Sequence, residues 1–169
     1  MSAISKPAMG VSSKAFVVPA GENRLNNVLD VFGTQVSVKI SSRDTHGAFD
    51  VCENTIPPHS GPPLHLHYVQ DEWWYIVEGE FLFEVDGEQI HAGPGDTVFA
   101  AKGTRHTFQN IGETEGHTVV TVVPGGLDLF FEDVYQTVQP GDEPDPAVLA
   151  PLFRKHGLEL LGPPLSERK

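Results

Sequence analysis

The stretch Gly61-Pro62-Pro63-Leu64-His65-Leu66-His67-Tyr68-Val69-Gln70-Asp71-Glu72-Trp73-Trp74-Tyr75-Ile76-Val77-Glu78-Gly79 decides how this chain is read. Glycine and proline open it, and aromatic and β-branched residues dominate its second half, the composition of extended chain between turns. In a strand, residues two apart share a face. His65 and His67 therefore project together, and imidazoles paired in this way are ligands for zinc, iron, nickel, copper or cobalt. Glu72 opens the next strand-like run and brings a carboxylate toward the same face. The same period turns Trp74 and Ile76 inward with Glu72, and Trp73 and Tyr75 outward.

A fourth ligand has to come from elsewhere in the chain. Lys102-Gly103-Thr104-Arg105 reads as a turn, and His106 begins another strand in which Phe108 shares its face. Three imidazoles and one carboxylate leave about one or two positions free on a metal, which separates a reactive site from a closed structural one. Each piece alone has an ordinary reading: surface histidines, a solvated Glu72, a loop His106, and Trp74 and Phe108 as plain core. His46, His59, His91, His117 and His156 have no partners at ligand spacing and read as surface or turn residues.

Working outward, short β-rich runs separated by glycine and proline continue along the chain. Strands are expected at Ala15–Val18, Thr34–Ile40, Ala48–Asn54, Glu72–Val77, Phe81–Val85, Gln89–Ala92, Thr97–Ala100, His106–Gln109 and His117–Val123. Asp86-Gly87 is a hairpin signal. Many short strands without intervening helices predict an all-β antiparallel sandwich or barrel. Past residue 126 the period changes: Leu127, Phe130, Phe131, Val134 and Val138 have helical spacing. A second helix is expected from Asp145 as cap and Pro146 at the first position, closed by Gly157, with Pro151 as its weak point. The expected division is a flexible N-terminal tail over 1–13, a β-barrel over 14–125, and a C-terminal helical extension and tail over 126–169.

Composition narrows the function. With 11 basic against 23 acidic residues the net charge is −12, which repels nucleic acid and anionic lipid, so neither is expected as a partner. One cysteine, Cys52, allows no internal disulfide and suits a reducing compartment. No segment has the apolar length of a membrane span, and no secretory pattern opens the sequence, so a cytoplasmic protein is expected.

Taken together, the motifs resemble those of the cupin superfamily. Gly61, His65, His67, Glu72 and Gly79 match its first motif, with four residues between His67 and Glu72 and six between Glu72 and Gly79. The gap from Gly61 to His65 is shorter than usual. Gly95, Gly103, His106 and Asn110 match the second motif, with Ala101 where proline is usual. The resemblance implies a double-stranded β-helix (a cupin jelly-roll barrel) holding one divalent transition metal on His65, His67, Glu72 and His106. The metal could be Fe, Ni, Mn, Co, Cu or Zn. Trp74, Ile76 and Phe108 would line an apolar pocket for an aromatic or apolar small molecule.

The Glu72-Trp73-Trp74-Tyr75 run and the tail over 157–165 resemble bacterial single-domain quercetinase-like cupins. That likeness implies a dioxygenase acting on an aromatic or enolic substrate, with Glu72 as general base. A non-redox isomerase, cyclase or lyase and a non-catalytic ligand-binding cupin are the alternatives. Dimers are common in the superfamily, so a homodimer is expected.

Overall fold

Alternation of buried and solvent-facing side chains organises the molecule into two facing sheets. The computed structural model describes residues 15–25, 27–138 and 145–168. Among these, one antiparallel sheet holds, in order, β1 (Leu29–Val31), β2 (Thr34–Ile40), β3 (Asp50–Ile56), β10 (Gly116–Val123), β5 (Asp71–Glu78) and β8 (Thr97–Ala100). The second holds β11 (Leu158–Pro164), β4 (Pro63–His67), β9 (His106–Asn110), β6 (Phe81–Val85) and β7 (Glu88–Ala92). Two helices, α1 (Leu127–Thr137) and α2 (Pro146–Lys155), join β10 to β11.

Val36 and Val38 of β2, Cys52 and Ile56 of β3, Trp74 and Ile76 of β5, Phe81 and Phe83 of β6 and Val120 and Val122 of β10 meet between the sheets. This apolar core is the main source of stability, at about 25 cal/mol for each Å² removed from water. The outer face of the larger sheet carries Tyr75, Val77 and Phe99, all exposed.

Several expected strands stand where the period of two placed them, and others shift for visible reasons. Asp86 and Gly87, both with positive φ, form the two-residue turn that pairs Val85 with Glu88. The run expected at Ala48–Asn54 begins instead at Asp50, because the Thr45 hydroxyl ties Phe49 into the preceding turn. Ala15–Val18 is not a strand: it has no strand assignment and belongs to neither sheet, Val17 is exposed, and the Phe16 ring lies under the Arg24 guanidinium. Residues 1–13, read as a tail, lie outside the described residues. Asp145 caps α2 by accepting from the Ala147 amide, and the helix runs through Pro151. Leu158–Pro164, read only as tail, is a strand antiparallel to β4, with Leu158 opposite His67 and Leu160 opposite His65.

Gly61 is required by close approach, not by its dihedral angles. A Cβ at this position would lie 1.8 Å from the Phe108 carbonyl oxygen, so the chain entering β4 can run against β9 only without a side chain. Gly61→Ala is expected to destabilise the protein by about 3 kcal/mol through overpacking, read as a lowered denaturant midpoint at unchanged slope.

Candidate metal centre

Two neighbouring strands and one across the barrel bring the four residues together. His65 and His67 project inward from β4, His106 begins β9 directly opposite His65, and Glu72 stands on the inner face of β5. One ligand atom from each lies within 4.8 Å of all the others, and all four side chains are buried. The imidazoles gather with ring centroids 4.4 Å apart for His65 and His106, 5.2 Å for His65 and His67, and 5.5 Å for His67 and His106.

Each imidazole is fixed by its other nitrogen. His65 Nδ1 lies 2.8 Å from the Pro63 carbonyl, His106 Nδ1 lies 2.9 Å from the Thr104 carbonyl, and His67 Nδ1 lies 2.8 Å from Gln70 Oε1. An oxygen acceptor at Nδ1 places a proton there. At His65 and His67 this leaves the Nε2 lone pair facing the centre, the tautomer a metal requires. At His106, whose Nε2 meets Glu72, a metal would take the place of a proton on Nε2. Burial pushes His65 well below the ordinary histidine range, and its neighbours His106 and His67 add to this. Burial also lowers His67, partly opposed by the Glu72 charge. For His106 burial acts downward, but the hydrogen bond and charge of Glu72 outweigh it and the net shift is upward.

Glu72 Oε2 gathers the site, 3.0 Å from His106 Nε2 and 3.2 Å from His67 Nε2. The His67 contact is close but misaligned, so His67 Nε2 remains a buried polar atom without a hydrogen bond. A buried nitrogen with its lone pair unpaired, beside two other imidazoles and a carboxylate, fits a divalent cation of the transition series. Gln70, which local spacing did not single out, is buried beside His67. Gln70→Leu is expected to weaken metal binding about 10–100-fold by freeing that ring, measured by competition with a chelating dye.

A small cavity of about 60 Å³ opens beside His65 and Glu72. Trp74 and Phe108 line it, whereas Ile76 does not and belongs to the closed core. Thr34 and Asn54 bring polar groups to its wall, and among the described residues no lysine or arginine lines it. Residues distant in sequence complete it: Phe32 from the β1–β2 turn, Phe130 and Phe131 from α1, and Phe153 from α2. Phe153 stands 6.0 Å from the His65 ring, centroid to centroid, and 4.8 Å from Phe130. The helical spacing of Phe130 was legible in the sequence; its place in the cavity beside the clustered histidines was not.

The motif asparagine has a structural role. Asn110 donates its amide to the carbonyls of Ile56 and Thr114 and accepts from the Gly112 amide, tying together the loops that flank β9. Among the other histidines, His46 and His59 occupy positive-φ turn positions, His91 is exposed on β7, His117 meets the Thr55 hydroxyl, and His156 pairs with Asp133 of α1.

Residues 53–123, which contain all four clustered side chains, match the cupin domain. This part of the chain carries a cupin domain. The two antiparallel sheets form the jelly-roll fold of such domains, and His65, His67, Glu72 and His106 make a possible metal site within it. An oxalate-binding protein of Thermotoga maritima is 31% identical over 68 residues, 40% of this chain and 56% of that protein. A probable oxidoreductase of Hypocrea virens is 33% identical over 79 residues, 45% of this chain and 36% of that protein. The match thus spans about half or less of these relatives' own length. A solved RmlC-like cupin from Shewanella frigidimarina superposes with a TM-score of 0.57 at 18% identity, covering 70% of this chain and 99% of that one, a likeness of fold. Among the described residues no helix is long and apolar enough to cross a membrane.

Proposed function

We propose that this cupin is a metal-dependent dioxygenase acting on an aromatic or enolic small molecule. The observation that carries the reading is the convergence of three Nε2 atoms and one carboxylate beside an apolar, aromatic-lined cavity. His65, His67, Glu72 and His106 would hold a divalent transition metal, which would supply Lewis-acid and redox chemistry toward a substrate oxygen.

The protein's own groups do the rest. Glu72 Oε2 stands at the cavity wall and accepts the proton of a substrate hydroxyl. Asn54 Oδ1, buried without a hydrogen-bond partner in that wall, accepts from a second hydroxyl and orients the ring. Trp74, Phe108, Phe130 and Phe153 exclude water and present apolar faces to a planar substrate. The test is oxygen uptake by protein reconstituted separately with iron, nickel, manganese, cobalt and copper, offered catechols and flavonols. Uptake with none of these metals, on protein shown to hold metal, would sink the reading.

The small size of the cavity and the likeness to an oxalate-binding protein favour a second reading, a non-catalytic module that retains a small ligand on the metal. A ligand that co-purifies and is released unchanged distinguishes it from turnover. A protein that holds zinc and transforms substrate without O₂ points to a non-redox isomerase, cyclase or lyase. We further assign the protein to the cytoplasm, where the buried, unpaired Cys52 stays reduced, and to a homodimer through the exposed face bearing Tyr75, Val77 and Phe99.

A further inference from the structure

The cavity beside the metal ligands, about 60 Å³, has room for a few water molecules. Sites for organic ligands are commonly about 300–1,000 Å³. A second concavity of about 420 Å³ adjoins it, walled by Leu149 and Ala150 of α2 and by Leu160, Leu161 and Pro164 of β11. Among the described residues its one charged lining residue is Glu167, so its chemistry suits a neutral apolar body and disfavours a phosphate or carboxylate. Phe32 and Pro63 line both spaces.

Phe32 is not the residue its turn calls for. Phe32 and Gly33 both have positive φ and close a two-residue hairpin between Val31 and Thr34, as Asp86 and Gly87 do between β6 and β7. Such turns favour Asn or Asp at the first position, and a bulky aromatic there is strained. The strained turn holds an aromatic residue in the lining of both spaces. Pro63, the other shared wall, supplies the carbonyl that orients His65, so an occupant of the outer concavity touches the mounting of a metal ligand.

We propose that the outer concavity binds the apolar body of the substrate and that Phe32 gates its connection to the metal-side cavity. The substrate class is then an elongated molecule: a hydroxylated ring or enol at His65 and Glu72, and a neutral apolar extension against α2 and β11. The substrate half of this proposal rests on the dioxygenase reading above; the concavity and its gate are tested without it.

The gate is tested first, on metal-free, ¹⁵N-labelled protein titrated with 1-hexanol. Amide shifts are expected at Ala150, Leu160 and Leu161, and they should vanish in Ala150→Trp and in Leu161→Arg, either of which suffices if the other folds poorly. Phe32→Asn, which suits the turn, should extend the shifts to the Trp74 indole N–H. No shifts at the concavity overturn the site, and an unmoved Trp74 in Phe32→Asn overturns the gate. Zinc-loaded protein is then offered catechol and 4-hexylcatechol. The hexyl chain is expected to tighten binding about fourfold for each buried methylene, and Ala150→Trp should erase that gain while leaving catechol unchanged. Equal affinity for the two catechols overturns the proposed substrate class. Failure of both catechols to bind overturns the dioxygenase reading and leaves the hexanol result to decide the site.

Discussion

Replacing His65 and His106 together by alanine is expected to reduce bound metal from near one ion per chain to a background level, measured by elemental analysis after reconstitution. The two imidazoles face each other across β4 and β9 and supply half of the four ligands gathered within 4.8 Å. What remains, His67 and Glu72, is too few ligands to hold a divalent ion against water. The loss is also visible in stability. A metal that binds only the folded state, present at about a hundredfold over its dissociation constant, stabilises by about 2.7 kcal/mol, or about 5–10 °C in Tm for a chain of this length. Wild type should show that rise on adding metal, and the double variant should show none. A wild-type protein that takes up no metal after reconstitution would remove the basis of the proposed function. It would also leave His67 Nε2 as a buried nitrogen without a partner.

The second large effect lies away from the site. Asp50, buried on β3, caps α1 from a distance: its Oδ2 accepts from the amides of Gly126 at 2.7 Å and Leu127 at 2.9 Å, with Asp128 at 3.5 Å. Gly126, the residue at the cap position of α1, has no side chain to do this. Asp128 in turn accepts from the Ser41 hydroxyl and the Ser42 amide, and each carboxylate keeps one buried oxygen without a partner. Burial raises the Asp50 pKa to about 7; the charge of Asp128 adds to the rise, and the amides of α1 oppose it.

The folded state therefore holds a proton between about pH 4 and pH 7 that the unfolded chain has released, and stability falls as pH rises through that window. The contribution is complete below about pH 4, is lost by about pH 7, and amounts to at most about 4 kcal/mol for a shift of this size. Asp50→Asn keeps an acceptor for the α1 amides and cannot ionise. Its stability relative to wild type is expected to improve steadily from pH 4.5 to pH 7.5, read from guanidinium midpoints; a constant difference would show that Asp50 does not titrate in this range. Asp50→Ala leaves buried amides without an acceptor and should destabilise at every pH, by about 1–3 kcal/mol for each amide stranded.

How much of this was legible beforehand depends on the range of each signal. The period of two in His65-Leu66-His67 and in Glu72-Trp73-Trp74 was enough to place those side chains on the inner face, because a strand's geometry is local. The turn signal at Asp86-Gly87 and the cap at Asp145 are local in the same sense, and both stand where their chemistry put them. Ala15–Val18 had the composition of a strand and is not one, since composition cannot supply a ladder partner.

The opposite case is Leu158–Pro164, where Gly162, Pro163 and Pro164 argue against a strand. It is one nonetheless, at the edge of its sheet, where missing donors are tolerated and the register can shift at Gly162. By itself the sequence determined the barrel class, the four clustered side chains and the faces of the motif strands, all of which follow from periodicity and motif spacing. Only the tertiary structure decided what surrounds them: the strand beside His65 and His67, the phenylalanines of α1 and α2 at the cavity, Phe32 in the lining of two spaces, and Asp50 at the head of a helix 76 residues away. Those contacts join segments far apart in the chain, and side-chain periodicity reports which face a residue occupies, never which distant segment will cover it.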